Sequence, residues 1–282
     1  MESWTGIVLA AGVSAEEMRS RLPVFLHPIA GRPLLWHPAS ALCELAPRPE
    51  RIVVLSDLPT LHEEIFEELP VPVELLTLDD PEQLARLETV PHDPAASGAV
   101  VVDGAAVVPP GSLQPLLETP VGRWVAAGAG LAAAAHLDWE RLSQLFRLPE
   151  PLRAPSGLLA ADARLEVPAG VVVRDRQALA HAVALVRDRV VRNLMLSGVT
   201  FLLPETVLVD VDVRIGRDSV IYPGAVIEGQ TTIGDETVVG PECRIIDSWV
   251  GSGVELKGWN YVSHTSVRNR AILEPYARRG FD

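Results

Sequence analysis

Residues 209–245 read VDVDVRIGRDSVIYPGAVIEGQTTIGDETVVGPECRI, and in this stretch an aliphatic residue returns at every sixth position. The repeated positions are Val209, Ile215, Ile221, Ile227, Ile233, Val239 and Ile245. The fourth residue after an aliphatic position is usually small, as at Ser219, Ala225, Thr231, Thr237 and Cys243. After a shift of one residue the repeat resumes at Val250, Leu256 and Val262, and after a second shift at Val267 and Leu273. This period fits neither an α-helix nor a coiled coil.

A six-residue repeat rich in Val, Thr and Gly predicts short strands that are joined by tight corners. Three such strands complete one triangular coil, with the aliphatic side chain pointing inward and the small residue beside the corner. The length of the repetitive region allows roughly four coils of this kind. Residues 199–282 are therefore predicted to form a short parallel β-helix.

The first two-thirds of the chain alternates apolar runs with helical stretches, which is typical of a sheet built from βαβ units. The predicted strands are Gly6–Ala11, Arg51–Ser56, Val71–Leu76 and Ala99–Asp103. The predicted helices are Pro38–Leu45, Leu61–Leu69 and a long linker helix that ends at Gly198 and leads into the repeats. No sheet order is predicted for Val121–Val173, which is rich in Ala, Gly and Pro. The expected organisation is an α/β domain over residues 1–198, including the linker helix 176–198, followed by the β-helix over 199–282.

Composition narrows the classes of partner. The chain of 282 residues carries a formal net charge of −13 and a single lysine, Lys257, so we expect neither nucleic acid nor an anionic membrane as a partner.

The two cysteines, Cys43 and Cys243, lie far apart and predict no disulfide framework. The first residues do not resemble a secretory leader, and a cytoplasmic location is expected.

Both ends of the α/β region resemble one family. Residues 7–12, IVLAAG, and residues 21–34, RLPVFLHPIAGRPL, are similar to the opening of the sugar-nucleotide pyrophosphorylases. Residues 174–179, RDRQAL, and 195–200, MLSGVT, are similar to the linker helix and β-helix entry of the bifunctional N-acetylglucosamine-1-phosphate uridylyltransferase family. The resemblance implies a Rossmann-like nucleotide-diphospho-sugar transferase domain followed by a β-helix that winds left-handed.

The same resemblance implies a nucleotide site. In the family the turn after the first strand places backbone N–H groups against a nucleotide triphosphate, while basic side chains and Mg²⁺ neutralise it. The residues retained for nucleotide binding are Leu9, Ala10, Ala11, Gly12, Arg21 and Gln83. Asp103 is the weak candidate for a metal ligand, and Mg²⁺ is implied only if the protein is active.

Four positions depart from the family pattern. Glu17 stands in the place of an arginine and Val24 in the place of a lysine that binds phosphate. Gly104 replaces a metal carboxylate, since Asp103 comes one position early, and on a strand this turns the side chain to the opposite face. Arg174 replaces a metal-binding asparagine. An acid near a triphosphate and a cation at a metal position both oppose catalysis, so no intact catalytic residue is predicted.

Three functions remain open at this point, one of them a nucleotidyltransferase that uses another base or sugar, which the altered loop after Gln83 would allow. The departures favour a catalytically degenerate relative that acts as a binding, regulatory or assembly module and that binds a nucleotide or nucleotide sugar. The alternative is an active Mg²⁺-dependent sugar-1-phosphate nucleotidyltransferase with a rearranged site. No acetyltransferase activity is expected, because the coils that hold acetyl-CoA in the family lie beyond Arg279.

The β-helix predicts self-association, most simply as a homotrimer, because triangular coils present flat and partly apolar faces. Trp249 and Trp259 are interpreted as interface or core residues, and His27 and His37 as structural histidines. The acidic run at Asp79, Asp80 and Glu82 is interpreted as a solvated loop.

Overall fold

The computed structural model describes residues 4–11, 18–58, 61–78, 80, 99–109, 111–127, 132–138, 140–142 and 164–280, with the side chains of 127 and 166–169 not described. The chain folds into two compact units. The first comprises residues 1–27 and 33–182, and the second comprises residues 28–32 and 183–282.

The first unit is built on an eight-stranded mixed sheet in the order β5-β4-β1-β6-β9-β8-β10-β7. The strands are β1 Thr5–Ala10, β4 Arg51–Ser56, β5 Val73–Thr77, β6 Ala99–Asp103, β7 Ala106–Val107, β8 Trp124–Ala127, β9 Ala132–Leu137 and β10 Arg164–Val172. The strands β5, β4, β1 and β6 run parallel, whereas β9 is antiparallel to both β6 and β8. The predicted α/β fold is confirmed, and the sheet supplies the order that was not predicted for Val121–Val173.

The apolar runs become strands because the central ones are covered on both faces. All six residues of β1 and all five of β6 are buried, as expected for parallel strands with near-continuous hydrophobic sequence. Ile7, Leu9, Val53, Leu55 and Val101 lie together in one core cluster. The four predicted strands are all present, with boundaries within two residues of those expected.

Two of the three predicted helices form. They are α1 Trp36–Cys43 and α3 Arg176–Leu196, and a short helix, α2 Gln114–Glu118, was not predicted. The helix predicted over Leu61–Leu69 is wrong, because the structure contains only a 3₁₀ turn at Glu63–Phe66. Pro70 and Pro72 follow it closely, and so short a segment cannot repay the cost of helix nucleation. No described helix has the length and apolarity needed to cross a membrane.

Helix α3 is long because its sequence favours helix and both of its ends are capped. Asp175 accepts a hydrogen bond from Ala178 N through Oδ1 at 2.7 Å, which is N-cap geometry. At the other end Gly198 has φ +105°, and Val199 N donates to Leu194 O at 3.1 Å. This closure needs a left-handed residue, which glycine adopts without steric cost.

The second unit contains three parallel sheets that form the sides of a β-helix. One sheet has the order β11-β14-β17-β20-β23, a second β12-β15-β18-β21-β24, and a third β13-β16-β19-β22. The strands are β11 Thr200–Phe201, β12 Leu208–Val209, β13 Arg214–Ile215, β14 Val220–Ile221, β15 Val226–Glu228, β16 Thr232–Ile233, β17 Val238–Val239, β18 Arg244–Ile246, β19 Trp249–Val250, β20 Glu255–Leu256, β21 Tyr261–Ser263, β22 Ser266–Val267, β23 Ile272–Leu273 and β24 Arg278–Gly280. The predicted β-helix is confirmed and begins at Thr200.

The repeat positions form the core of this β-helix. Every repeated aliphatic residue from Val209 to Leu273 belongs to a single buried cluster. The small residues are buried as well, and their hydroxyl groups join successive coils: Ser219 Oγ donates to Gly234 O at 2.9 Å, and Thr237 Oγ1 donates to Gly251 O at 2.8 Å. A larger side chain at these corners would displace the neighbouring coil.

The short segment Pro28–Arg32 groups with the second unit. It holds β2 Pro28–Ile29 and the start of β3 Arg32–Pro33, which pair as a small ribbon. Ala30 and Gly31 both have positive φ, as a tight hairpin turn requires. Ala30 O accepts a hydrogen bond from Val211 N at 3.1 Å, and Arg32 Nε lies 2.6 Å from a carboxylate oxygen of Asp212.

Candidate functional site

The candidate site of the first unit lies where β1 and β6 end. The two strands are parallel neighbours, and Leu9 is paired in register with Asp103. Parallel strands place their carboxyl ends at the same edge of the sheet, which is where ligands bind in open α/β folds. Gly104 follows Asp103 and donates its N–H to Leu9 O at 2.9 Å. A Cβ at position 104 would meet Leu9 O and Leu35, so this close approach requires glycine.

Both oxygens of the Asp103 carboxylate have a partner within the protein. Its Oδ1 accepts a hydrogen bond from Ala105 N at 2.8 Å, and its Oδ2 forms an ion pair with Arg174 Nη2. The Asp103 side chain is 2% exposed and the Arg174 side chain 16% exposed. Arg174 stands directly after Val173, whose N–H donates to Ala105 O at 2.9 Å. The turn after β6 and the start of the linker helix thus hold the two charges together.

Sequence reasoning placed Asp103 and Arg174 separately at positions related to metal binding but did not predict their contact. They are 71 positions apart, and no local signal joins them. Strand β10 leads into helix α3, and this junction lies beside the turn that follows β6. The two side chains meet for this reason. Within the described residues, Arg174 Nε is buried and has no hydrogen-bond partner.

The predicted nucleotide-binding residues are partly brought together. Leu9 and Ala10 are buried at the end of β1, and Ala11 is half-buried directly after it. Arg21 is exposed. Gly12 and Gln83 lie outside the described residues, as does Glu17.

Ser56 is a residue of this edge that sequence reasoning missed. It ends β4, the strand beside β1, and its Oγ donates to Ala10 O at 3.3 Å while accepting from Leu58 N at 3.0 Å. The available signal was a serine at the carboxyl end of a buried strand. The carbonyl groups of both Leu9 and Ala10 therefore have donors from within the protein.

Val24 is a buried core residue. It lies in a 3₁₀ turn at Val24–Leu26 and is completely buried. His27 follows this turn and is also buried, and within the described residues its Nε2 has no hydrogen-bond partner. Burial lowers the pKa of His27, the charge of Arg176 lowers it further, and a hydrogen bond with the Leu22 backbone acts in the opposite direction.

Neither cysteine is placed to act as a nucleophile. Cys43 and Cys243 are free and buried. Burial raises the pKa of the Cys43 thiol to about 11 and also raises the pKa of Cys243. A thiol in this state holds its proton at neutral pH and reacts slowly.

The two β-helix tryptophans are not core residues, which corrects one of the two interpretations made from the sequence. Trp249 is 47% exposed and Trp259 is 49% exposed. Trp259 stacks on Tyr276, with ring centroids 5.4 Å apart.

His27 and His37 are both buried, in agreement with a structural role. Of the acidic run, only Asp80 is described, and it is half-buried.

The fold defines a mixed α/β unit and a parallel β-helix of the hexapeptide type. Residues 212–247 match the family described as bacterial transferase hexapeptide (six repeats). The relatives that match over the C-terminal part of the chain include three that are described as the bifunctional protein GlmU. The protein from Geobacillus sp. is 42% identical over 91 residues, which is 32% of this chain and 19% of that protein. The one from Caldanaerobacter subterraneus is 38% identical over 89 residues, and the one from Bacillus velezensis 41% identical over 90 residues.

The resemblance to the bifunctional family is therefore confirmed for the C-terminal third of the chain. The matched segment spans about a fifth of the length of these relatives. Among solved structures, the inositol-1-phosphate CTP transferase from T. maritima has a TM-score of 0.45 at 12% identity and covers 67% of this chain. A putative glucose-1-phosphate thymidylyltransferase from Bacillus anthracis has a TM-score of 0.43 at 14% identity and covers 65% of it.

Proposed function

We propose that the α/β unit is a catalytically degenerate relative of the sugar-nucleotide uridylyltransferases and serves as a binding, regulatory or assembly module. The observation that carries this proposal is the ion pair between Asp103 and Arg174. It joins the carboxylate nearest to the family's metal position with an arginine at the position of the family's metal-binding amide.

The described residues do not fit a Mg²⁺ ion at this place. Magnesium requires near-octahedral oxygen ligands, and both oxygens of Asp103 already accept protein donors. The guanidinium of Arg174 adds a fixed positive charge beside the same carboxylate, which opposes a divalent cation. Among the described residues there is no group of three or more His, Cys, Asp or Glu side chains that could hold a metal.

The lysine that the family uses to bind the triphosphate is also missing. Residues 1–198 contain no lysine, and the position of the family's phosphate-binding lysine is the buried Val24. Arg21 is exposed and remains the nearest basic candidate in the sequence motif. Removing a single preorganised donor from such a site commonly costs about 3 kcal/mol of transition-state stabilisation. Several losses together would leave no useful catalysis.

Titration calorimetry with UTP and UDP-N-acetylglucosamine, with and without Mg²⁺, tests the proposal. We expect no nucleotide binding that depends on Mg²⁺ in the natural protein. The variant Arg174→Asn restores the family's amide and releases one oxygen of Asp103. Arg51→Asn is the matched control, because it breaks a more exposed ion pair in the same unit, between Arg51 Nη1 and Glu74. Saturable, Mg²⁺-dependent UTP binding by the natural protein would refute the proposal.

The assembly role rests on the β-helix. Leu208 is 47% exposed on one sheet and Ile272 is 60% exposed on another, and exposed aliphatic residues on flat sheets favour self-association. We propose that the protein forms a homotrimer through the β-helix. Light scattering at micromolar concentration should give three times the mass of one chain, and a monomer would contradict this assignment.

A further inference from the structure

The outer surface of the four-stranded sheet of the β-helix contains a groove that the proposed function does not use. Its volume is ≈ 440 Å³, which is within the usual range for small-molecule sites. Trp249 of β19 lies in it, with Thr232 and Ser266 as its register partners on the adjacent strands. Asp247 and His264 line it at the corners of successive coils.

Trp249 differs from the other exposed tryptophan of the β-helix. Trp259 is stacked on Tyr276, so one face of its ring is covered from within the chain. In the described part of the chain Trp249 has no such ring partner, although Trp249 and Trp259 are almost equally exposed. A large indole surface is thus left open within a groove whose other side chains are polar.

Asp247 is held in a fixed orientation beside this indole. Its Oδ1 accepts a hydrogen bond from Gln230 N at 2.9 Å, and its Oδ2 lies 3.7 Å from His264 Nδ1. A Cβ at Gly229 would collide with Asp247 Oδ1, so the glycine makes room for the carboxylate. The Asp247 side chain remains 40% exposed, which leaves its oxygens accessible to a ligand in the groove.

The remaining side chains of the groove supply neutral polar groups. The hydroxyl groups of Thr232 and Ser266 and the amide of Gln230 form no side-chain hydrogen bond within the residues that the structure describes. These groups can both donate and accept. No lysine or arginine lines the groove, and Asp247 would repel a phosphate.

We propose that this groove binds an unphosphorylated pyranose sugar. The apolar face of the sugar ring stacks on the indole of Trp249, and its hydroxyl groups, or an amino group in their place, donate to the carboxylate of Asp247. Thr232, Ser266 and Gln230 complete the polar contacts. The inference is independent of the proposed function, because its residues belong to the second unit and its strands β16, β19 and β22 lie on the sheet that contains neither Leu208 nor Ile272.

Indole N–H signals in ¹H–¹⁵N spectra provide the test. The six tryptophans supply six indole N–H groups, and Trp249→Phe and Trp259→Phe assign the two signals that matter. Glucose, glucosamine and N-acetylglucosamine are added in turn, and glucose 1-phosphate is the phosphorylated comparison. We expect at least one unphosphorylated sugar to shift the Trp249 signal saturably, while the Trp259 signal stays in place. Glucose 1-phosphate should bind more weakly than glucose.

Three variants sharpen the outcome. Trp249→Ala should weaken binding about tenfold, the effect of losing one stacking contact, while Trp259→Ala should leave it unchanged. Asp247→Asn should weaken binding with the Trp249 signal intact. The proposal is overturned if no sugar shifts the Trp249 signal at millimolar concentration, or if Trp259 responds equally. It is also overturned if the Trp249 signal changes on dilution of the protein alone, because the groove would then be an interface between copies of the chain.

Discussion

In the β-helix one buried aliphatic side chain recurs on strand after strand, whereas in the α/β unit each residue that bears on chemistry occurs once. The repeat positions from Val209 to Leu273 share one core cluster. The ion pair at the strand ends of the α/β unit depends on two residues, Asp103 and Arg174, that are brought together by the fold. A repeated pattern shows the same structural requirement many times, so it can be recognised in the sequence. A site is specified by residues that each occur once, so no repeat reveals them.

The largest effect is expected from Val24→Lys, which introduces the lysine of the family's phosphate-binding motif. Val24 is completely buried, and burying an amine can shift its pKa by several units, which corresponds to about 4–7 kcal/mol of lost stability. Val24→Met should cost only about 1–3 kcal/mol, since it keeps an apolar side chain. Urea denaturation monitored by circular dichroism measures both. If the lysine were tolerated as well as methionine, position 24 would be open to solvent or ligand.

The second prediction concerns Arg174→Ala, which removes one partner of the ion pair. The carboxylate of Asp103 would then stay buried without its cation, at a cost of about 3–5 kcal/mol. Arg51→Ala, which breaks the more exposed pair with Glu74, should cost at most about 1 kcal/mol. Equal losses in the two variants would contradict a special role for the Asp103–Arg174 pair.

The third prediction tests the β-helix in the same way. Ile245 is fully buried and lies between Ile227 and Val262 of the adjacent coils, so Ile245→Ala should cost about 2–5 kcal/mol. Leu196→Ala, at an aliphatic site of the same unit that is 79% exposed, should change stability by less than about 0.5 kcal/mol. Hydrogen exchange should locate the loss in the coils around Ile245. A small effect at Ile245, or a loss spread evenly over both units, would show that the coils do not share one core.

The smallest expected effect is a difference between the two units in how their stability responds to pH. Burial is the main cause that lowers the pKa values of His27 and His136, so below the ordinary value of 6.5 the unfolded chain binds more protons than the folded one. Acid should therefore destabilise the α/β unit. In the β-helix unit, burial raises the pKa of Asp210 above its ordinary value of 3.8, so this group does not add to the destabilisation by acid.

Hydrogen exchange at neutral pH and at about pH 5.5 separates the two units. Exchange should speed up more in the strands of the α/β unit than in the coils, beyond the intrinsic change of exchange rate with pH. A double variant, His27→Gln with His136→Gln, should reduce the difference. Equal responses of the two units, or a variant with an unchanged response, would contradict the assignment.

The sequence predicted the β-helix almost residue by residue because its period of six admits no other regular structure. It predicted the central strands β1, β4 and β6 equally well, since each is a continuous apolar run between turn residues. It failed over Leu61–Leu69, where prolines end the segment after one turn. It could not order the strands after Val121, because Ala-rich strands such as β9 lack a periodic signal.

The site was predictable only in part. The motif comparison identified Asp103 and Arg174 as departures from the family, but their contact depends on residues 71 positions apart. The burial of Val24 was likewise hidden, because a loop motif does not show which side chains enter the core. The open face of Trp249 depends on which neighbours lie beside it in three dimensions, which a repeat pattern does not record.

A pyrophosphate-release assay tests the central claim most directly. The natural protein is mixed with UTP, N-acetylglucosamine 1-phosphate and Mg²⁺, and a parallel reaction contains a chelator. The Asp103–Arg174 ion pair and the buried Val24 predict the same background release in both reactions. Robust release that the chelator abolishes would show that the ion pair opens to admit the metal and that the α/β unit is an active nucleotidyltransferase.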